Sequence, residues 1–267
     1  MRVRAAQSIR VAFSSLIAAL ILGGCGSSKD SNTIVVGMEL AYPPFEMTDE
    51  QNEPAGVSVE LAKALADKLG KELRIENIPF AGLIPALRTG KIDLIISSMT
   101  RTEERAQSIA FSDPYLTTGL CALVSKEVEG NSIAELDKQG IRIAVKQGTT
   151  GHIFANERFH QASLLLFEKE SAATLEVAQG KADAFLYDQM STYMNWKKHP
   201  NTTRPLLEPF ERESWAIGLK QGNEDLRLAV NRFLTRFKSE GGFDRLGDRF
   251  LSEQKQAFES MGYPFFF

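Results

Sequence analysis

The chain has 267 residues, with 31 Lys and Arg against 34 Asp and Glu, a net charge of −3, 43% hydrophobic residues and 24% charged ones. That length accommodates one large core or two lobes, and adequate aromatic content without low-complexity runs excludes global disorder. Without a basic excess, nucleic acid is not an expected partner, and two cysteines are too few for a disulfide framework.

The N-terminus departs from this average. Arg2, Arg4 and Arg10 precede an apolar run from Val11 to Leu22. The run is too short to span a bilayer as a helix. A basic start, a short apolar stretch and small residues after it read as an export signal over residues 1–24. It ends Leu22-Gly23-Gly24-Cys25, and residues 25–32 are small, polar and aperiodic, as in a tether. The Leu22–Cys25 segment resembles the lipobox of bacterial lipoproteins. That resemblance implies cleavage before Cys25, lipid on Cys25, and a protein held at a membrane surface outside the cytoplasm. Beyond Gly24 the chain carries 28 basic and 34 acidic residues, a net of −6. Cys121 is left without a thiol partner and reads as a buried small hydrophobe within Leu120–Val124.

Thr33–Met38 is a short β-rich run. From Ser58, Leu61, Leu65 and Leu69 recur at i, i+4 and i+8 with Gly70 behind them, an amphipathic helix with a glycine stop. Leu73–Ile78 reads as a strand, Leu83, Ile84 and Leu87 as a short helix ending at Gly90, and Ile92–Ile96 as a buried strand. Strands alternating with helices indicate an α/β protein with a largely parallel sheet. The unit recurs: a helix end, Gly90-Lys91, one residue, Asp93 and an apolar strand compare with Gly180-Lys181, one residue, Asp183 and an apolar strand. That separation suits two similar lobes better than a solenoid. After Trp215 the chain is helical again. Leu226, Val230, Phe233, Leu234 and Phe237 share a face, Gly241-Gly242 breaks the helix, and an amphipathic tail follows from Phe243 to Met261.

Ligands of open α/β sheets collect at the carboxyl ends of the strands. Four loops are nominated: Glu39–Tyr42, Ser97–Thr100, Lys146–Thr150 and Tyr187–Asp188. Just beyond the second, Thr102 is placed to cap a short helix carrying Glu103, Glu104 and Arg105. No dinucleotide fingerprint, phosphate loop, nucleophile elbow or metal-ligand spacing occurs, so no cofactor, metal or catalytic residue is expected. What remains is recognition chemistry. An Arg is the preferred bidentate partner of a carboxylate and an Asp the natural partner of an ammonium, which together describe a holder of zwitterions.

The chain resembles the extracytoplasmic solute-binding proteins of bacterial polar amino-acid ABC importers. The resemblance rests on Tyr42-Pro43-Pro44-Phe45-Glu46, Phe80-Ala81-Gly82-Leu83, Ser97-Ser98-Met99-Thr100-Arg101-Thr102-Glu103-Glu104-Arg105, Phe111-Ser112-Asp113-Pro114-Tyr115, Lys146-Gln147-Gly148-Thr149-Thr150 and Tyr187-Asp188, in that order along the chain. It implies two lobes of periplasmic-binding-protein type II joined by a two-strand hinge, with ligand in the cleft. Lobe 1 would be 33–124 and 218–267 and lobe 2 125–217, with crossovers near 124–126 and 214–218.

The same resemblance implies the roles. Arg105 would grip the ligand α-carboxylate, met from lobe 2 by Thr149 with its amide and by Thr150, while the Thr100 hydroxyl and the neighbouring Ser98 carbonyl would contact the backbone end of the ligand. Asp188 would pair the α-ammonium. Tyr42 and Phe80 would sandwich the side chain, with Glu39, Lys146 and Tyr187 setting specificity. An acid facing a Lys suits an amide, which needs both an acceptor and a donor, so a glutamine-like ligand is expected before a basic one. Hinge closure and delivery to a membrane permease would follow, with a monomer as the simplest state. Two alternatives stand beside this: a periplasmic dehydratase of cyclohexadienyl acids on the same fold, and a sensor component.

Overall fold

The computed structural model describes residues 32–265. The expected export signal, Cys25 and all of the tether but Asn32 lie outside the described residues. The described residues all fall within one compact unit.

Strand β1 (Thr33–Met38) is followed by a small antiparallel sheet of β2 (Ala41–Tyr42), β3 (Glu46–Thr48) and β4 (Pro54–Ala55). Then come α1 (Val57–Leu69), β5 (Glu72–Asn77), α2 (Leu83–Thr89), β6 (Leu94–Ile95), α3 (Glu103–Ala106), β7 (Ala110–Phe111) and the long β8 (Leu116–Ser125). The next stretch holds β9 (Arg142–Lys146), α4 (Thr150–Arg158), β10 (Ser163–Phe167), α5 (Glu170–Ala178), β11 (Ala184–Asp188), α6 (Gln189–Lys198) and β12 (Thr203–Trp215). The chain closes with β13 (Gly218–Leu219), α7 (Glu224–Ser239), α8 (Gly242–Phe250) and α9 (Ser252–Ser260).

Two five-stranded sheets result, ordered β5-β1-β6-β13-β7 and β10-β9-β11-β8-β12. Each is parallel at one side and antiparallel at the other, because β13 runs against β6 and β7 while β8 runs against β11 and β12. The sheets are therefore mixed where the alternation of elements had indicated a largely parallel one. The antiparallel strands are the chain passing to and from the second lobe.

Helix α1 buries Leu61 and Leu65 against the first sheet, each fully removed from water and worth about 1.5–3 kcal/mol of transfer energy. Gly70 ends it in the left-handed conformation, which an L side chain reaches only with strain. Gly90 and Gly180 end α2 and α5 with φ of 78° and 69°. Beyond each, Asp93 and Asp183 repeat one arrangement. The amide of Asp93 donates to the Val35 carbonyl and its Oδ2 accepts from the Val35 amide at 2.9 Å. The amide of Asp183 donates to the Arg142 carbonyl and its Oδ2 accepts from the Arg142 amide at 2.7 Å. The sequence echo is a repeated joint between a helix end and one strand of each lobe, β1 in the first and β9 in the second.

The first crossover differs from its expected place near 124–126. Leu120–Val124 pair with β11 in the second sheet, so those residues belong to that sheet and the chain crosses earlier. At the crossing, Thr117 pairs with Ser214, Leu116 with Trp215 and Thr100 with Trp215. Cys121 is buried and free, its Sγ 3.4 Å from the Leu207 carbonyl oxygen. The tail also joins the lobes. The Phe258 ring of α9 meets Tyr193 of α6 at 5.2 Å between centroids.

Candidate functional site

The carboxyl ends of β1, β6, β9 and β11 face one another across a single cavity. Its wall includes Glu39, Tyr42, Phe80, Ser98, Thr100, Arg105, Thr149, Thr150, Tyr187 and Asp188, every expected binding residue but Lys146. Lys146 lies directly behind that wall, buried, with its ammonium on the Glu39 carboxylate and about 5.6–5.8 Å from the Phe80 and Tyr187 ring centres. The cavity also takes in Glu46, Glu213 and Trp215, which the sequence had not marked as site residues.

Arg105 sits on α3, whose first turn is capped by the Thr102 hydroxyl accepting from the Arg105 amide at 3.1 Å. Its guanidinium is buried, donating to the Thr100 carbonyl at 2.6 Å and to the Gly148 carbonyl at 2.9 Å. Phe80 lies against its face at 5.5 Å. Burial pulls the Arg105 pKa down while Glu213, Glu104 and Tyr187 pull it back up. A guanidinium stays charged in proteins even so.

Asp188 comes from the second sheet, at the N-cap of α6. Its Oδ1 accepts from the Ser191 amide at 3.0 Å and from the Tyr42 hydroxyl at 2.6 Å. Burial pushes its pKa to about 7, partly opposed by those two hydrogen bonds. Tyr42 stacks on Phe45 at 5.3 Å and stands edge-on to Tyr187 and Trp215, so the aromatic wall is continuous. Thr149 caps α4: its hydroxyl accepts from the His152 amide and donates to the Lys146 carbonyl. Gly151 lets α4 approach β11, since a Cβ there would stand 2.5 Å from the Leu186 carbonyl oxygen.

Two further acids complete the wall. Glu46 accepts from the hydroxyls of Ser58, Ser98 and Ser97, at 2.6, 3.0 and 3.4 Å, and Ser97 in turn accepts from the Glu39 amide. This network holds Ser98 at φ 48°, a left-handed conformation uncommon for serine and typical of constrained sites. Burial pushes the Glu46 pKa to about 8. Glu213, on β12, accepts from the Thr100 hydroxyl at 3.2 Å and borders the cavity together with Thr150. Burial raises its pKa as well, against the pull of both hydroxyls and Arg105.

Among the described residues no cluster of acids, histidines or cysteines is arranged to hold a metal, and no helix is long and apolar enough to cross a membrane.

The chain is similar to several amino-acid-binding proteins. The chain is 29% identical over 223 residues to the L-cystine-binding protein TcyJ of Escherichia coli, covering 84% of each. It is 30% identical over 265 residues to the ABC transporter glutamine-binding protein GlnH of Bacillus subtilis, covering 91% of this chain and 96% of that one. An ancestral amino-acid-binding protein, a precursor of cyclohexadienyl dehydratase, superimposes with a TM-score of 0.76 at 33% identity, over 82% of this chain and 95% of its own. A family model matches residues 34–253, nearly all of the described chain, and with two lobes enclosing one charged cavity this protein belongs to the bacterial extracellular solute-binding proteins, family 3.

Proposed function

We propose that this protein captures a polar L-amino acid outside the cytoplasm, glutamine-like in preference to basic, and hands it to the permease of an ABC importer. One observation carries the reading. Arg105 from one lobe and Asp188 from the other, buried and opposite in charge, border the same cavity. Arg105 has N–H groups beyond the two given to carbonyls, enough for a carboxylate. Asp188 takes both of its hydrogen bonds on Oδ1, leaving Oδ2 for an ammonium. The N-terminal turn of α4, with Thr149 and Thr150, adds a positive dipole end to the carboxylate side.

The side-chain end holds the Glu39–Lys146 pair between Phe80 and Tyr187. A pair of no net charge draws neither a cationic nor an anionic side chain, which suits a neutral polar group such as a carboxamide, able to donate to the Glu39 carboxylate. The glutamine-binding relative supports that order of preference. Closure around the zwitterion pairs the buried charges of Arg105 and Asp188, and leaving either unpaired would cost several kcal/mol. A lipid on Cys25 would hold the binding unit near its permease.

Refolded protein freed of carried-over ligand is tested by thermal shift and calorimetry against all the common amino acids. Stabilisation by glutamine above the rest is expected. Tightest binding of glutamate would remove the amide preference, and a flat panel with folded protein would remove the amino-acid reading. Prephenate and arogenate are the controls, because turnover of either would mark a dehydratase.

A further inference from the structure

Glu213 has no part in the binding scheme above, yet it borders the cavity beside the expected carboxylate position. It is buried on β12, at the return crossing between lobes. Its carboxylate accepts from the Thr100 hydroxyl of one lobe, and Thr150 of the other lobe borders the same cavity. Arg105, contributed by α3, is the cation whose charge acts on it. The other titratable groups facing it are Asp188 of β11, Cys121 of β8 and Glu211 of its own strand. On its outer side α3 brings Glu104 and α4 brings Glu157 and Arg158 to the cleft that Glu213 also borders.

A count of protons shows the conflict. Each threonine hydroxyl has one hydrogen to donate, and a carboxylate can only accept. Thr100 gives its hydrogen to Glu213. A ligand carboxylate drawn to Arg105 competes for the same hydrogen and the same guanidinium. If the Thr100 hydroxyl turns to the ligand, Glu213 is left as a buried anion without that partner, beside a second anion. Two carboxylates in such a site do not both stay ionised. The ligand keeps its charge, because it takes the direct contact with Arg105.

Resting on the amino-acid reading, we infer that ligand binding is coupled to uptake of one proton by Glu213, which then donates its O–H across the site. In balance, the solvent proton bonds to a Glu213 carboxylate oxygen, and no covalent bond breaks. Burial already raises the Glu213 pKa, so the change has the right direction. Asp188 acts oppositely. It is partly protonated near pH 7, and an ammonium beside it drives its proton off. Above pH 8 that release is nearly spent, and uptake by Glu213 dominates.

The test is calorimetry of L-glutamine at pH 8, with L-arginine as second probe, in phosphate and in Tris, whose heats of ionisation differ. The dependence of binding heat on buffer gives the protons exchanged. Wild type is expected to take up a sizeable fraction of a proton, and its affinity to fall with rising pH by up to tenfold per unit. In Glu213→Gln the exchanged number should drop toward zero, and in Glu213→Asp, which keeps the acid, it should persist. Uptake by Glu213→Gln equal to wild type, or no uptake by wild type, would overturn the inference. Should Glu213→Gln not fold, wild type and Glu213→Asp still decide it. Absence of binding by any amino acid would instead defeat the underlying reading, so the two failures are distinguishable.

Discussion

Arg105 and Asp188 carry charges that water no longer solvates, so each depends on what the other lobe and the ligand present. Truncating one partner of a buried charged hydrogen bond strands the other. Arg105→Ala and Asp188→Ala should each weaken amino-acid binding by about 2–5 kcal/mol in calorimetry. Unchanged affinity in both would place the site elsewhere. The acids also make a stability prediction. Glu46 and Asp188 hold pKa values of about 8 and about 7 in the folded state, above their ordinary values of 4.5 and 3.8. The folded protein therefore binds more protons than the unfolded chain between about pH 4 and 8, and stability falls as pH rises through that window. The melting temperature of ligand-free protein should drop between pH 5 and pH 8, and Glu46→Gln should flatten the drop. A rising profile would contradict the burial of these acids. Asp188 was legible in sequence because it stands at a strand end, and Arg105 and the aromatics because each lies within a recognisable segment. Glu213 was not, since Glu211-Arg212-Glu213 reads as a solvated charged run. Its period-two relation to Trp215, which puts both on one face of β12, is the signal that could have found it.

At the scale of elements, Gly90 and Gly180 anchor the same joint in each lobe. Both have φ in the left-handed range, and a Cβ at Gly90 meets nothing within 4 Å. Strain alone should therefore set the cost there, and Gly90→Ala should lose about 1–2 kcal/mol by denaturant unfolding. A neutral result would mean the helix end relaxes. The echo Gly-Lys-x-Asp was readable because glycine, aspartate and the following apolar run are each dictated by local backbone chemistry. The place of the crossover was not. Leu120–Val124 is apolar throughout, and a run buried on both faces carries no mark of which sheet it joins. Only pairing with β11, a long-range contact, decides it.

The whole molecule is closed by groups that a ligand would have to displace or join. Lys146 reaches Glu39, the Tyr42 hydroxyl reaches Asp188, and Arg105 reaches the Gly148 carbonyl, each from one lobe to the other. The Phe258–Tyr193 contact braces the same two lobes with apolar surface. Water would replace these polar contacts in an opened cleft, so an open state is expected close to the closed one in free energy, and small changes would shift the balance. Glu39→Ala shows the sign. In the closed form it leaves the Lys146 ammonium buried and unpaired, which costs several kcal/mol, whereas in the open form water solvates it. Each 1.4 kcal/mol of that difference moves the ratio of states tenfold. Ligand-free Glu39→Ala should therefore be more open than wild type, with a larger radius of gyration in small-angle scattering, and a saturating amino acid should return it to the wild-type value. An unchanged radius would mean that the aromatic brace, and not the ion pair across the cleft, holds the lobes together, and Phe258→Ala would then be the variant that opens the molecule.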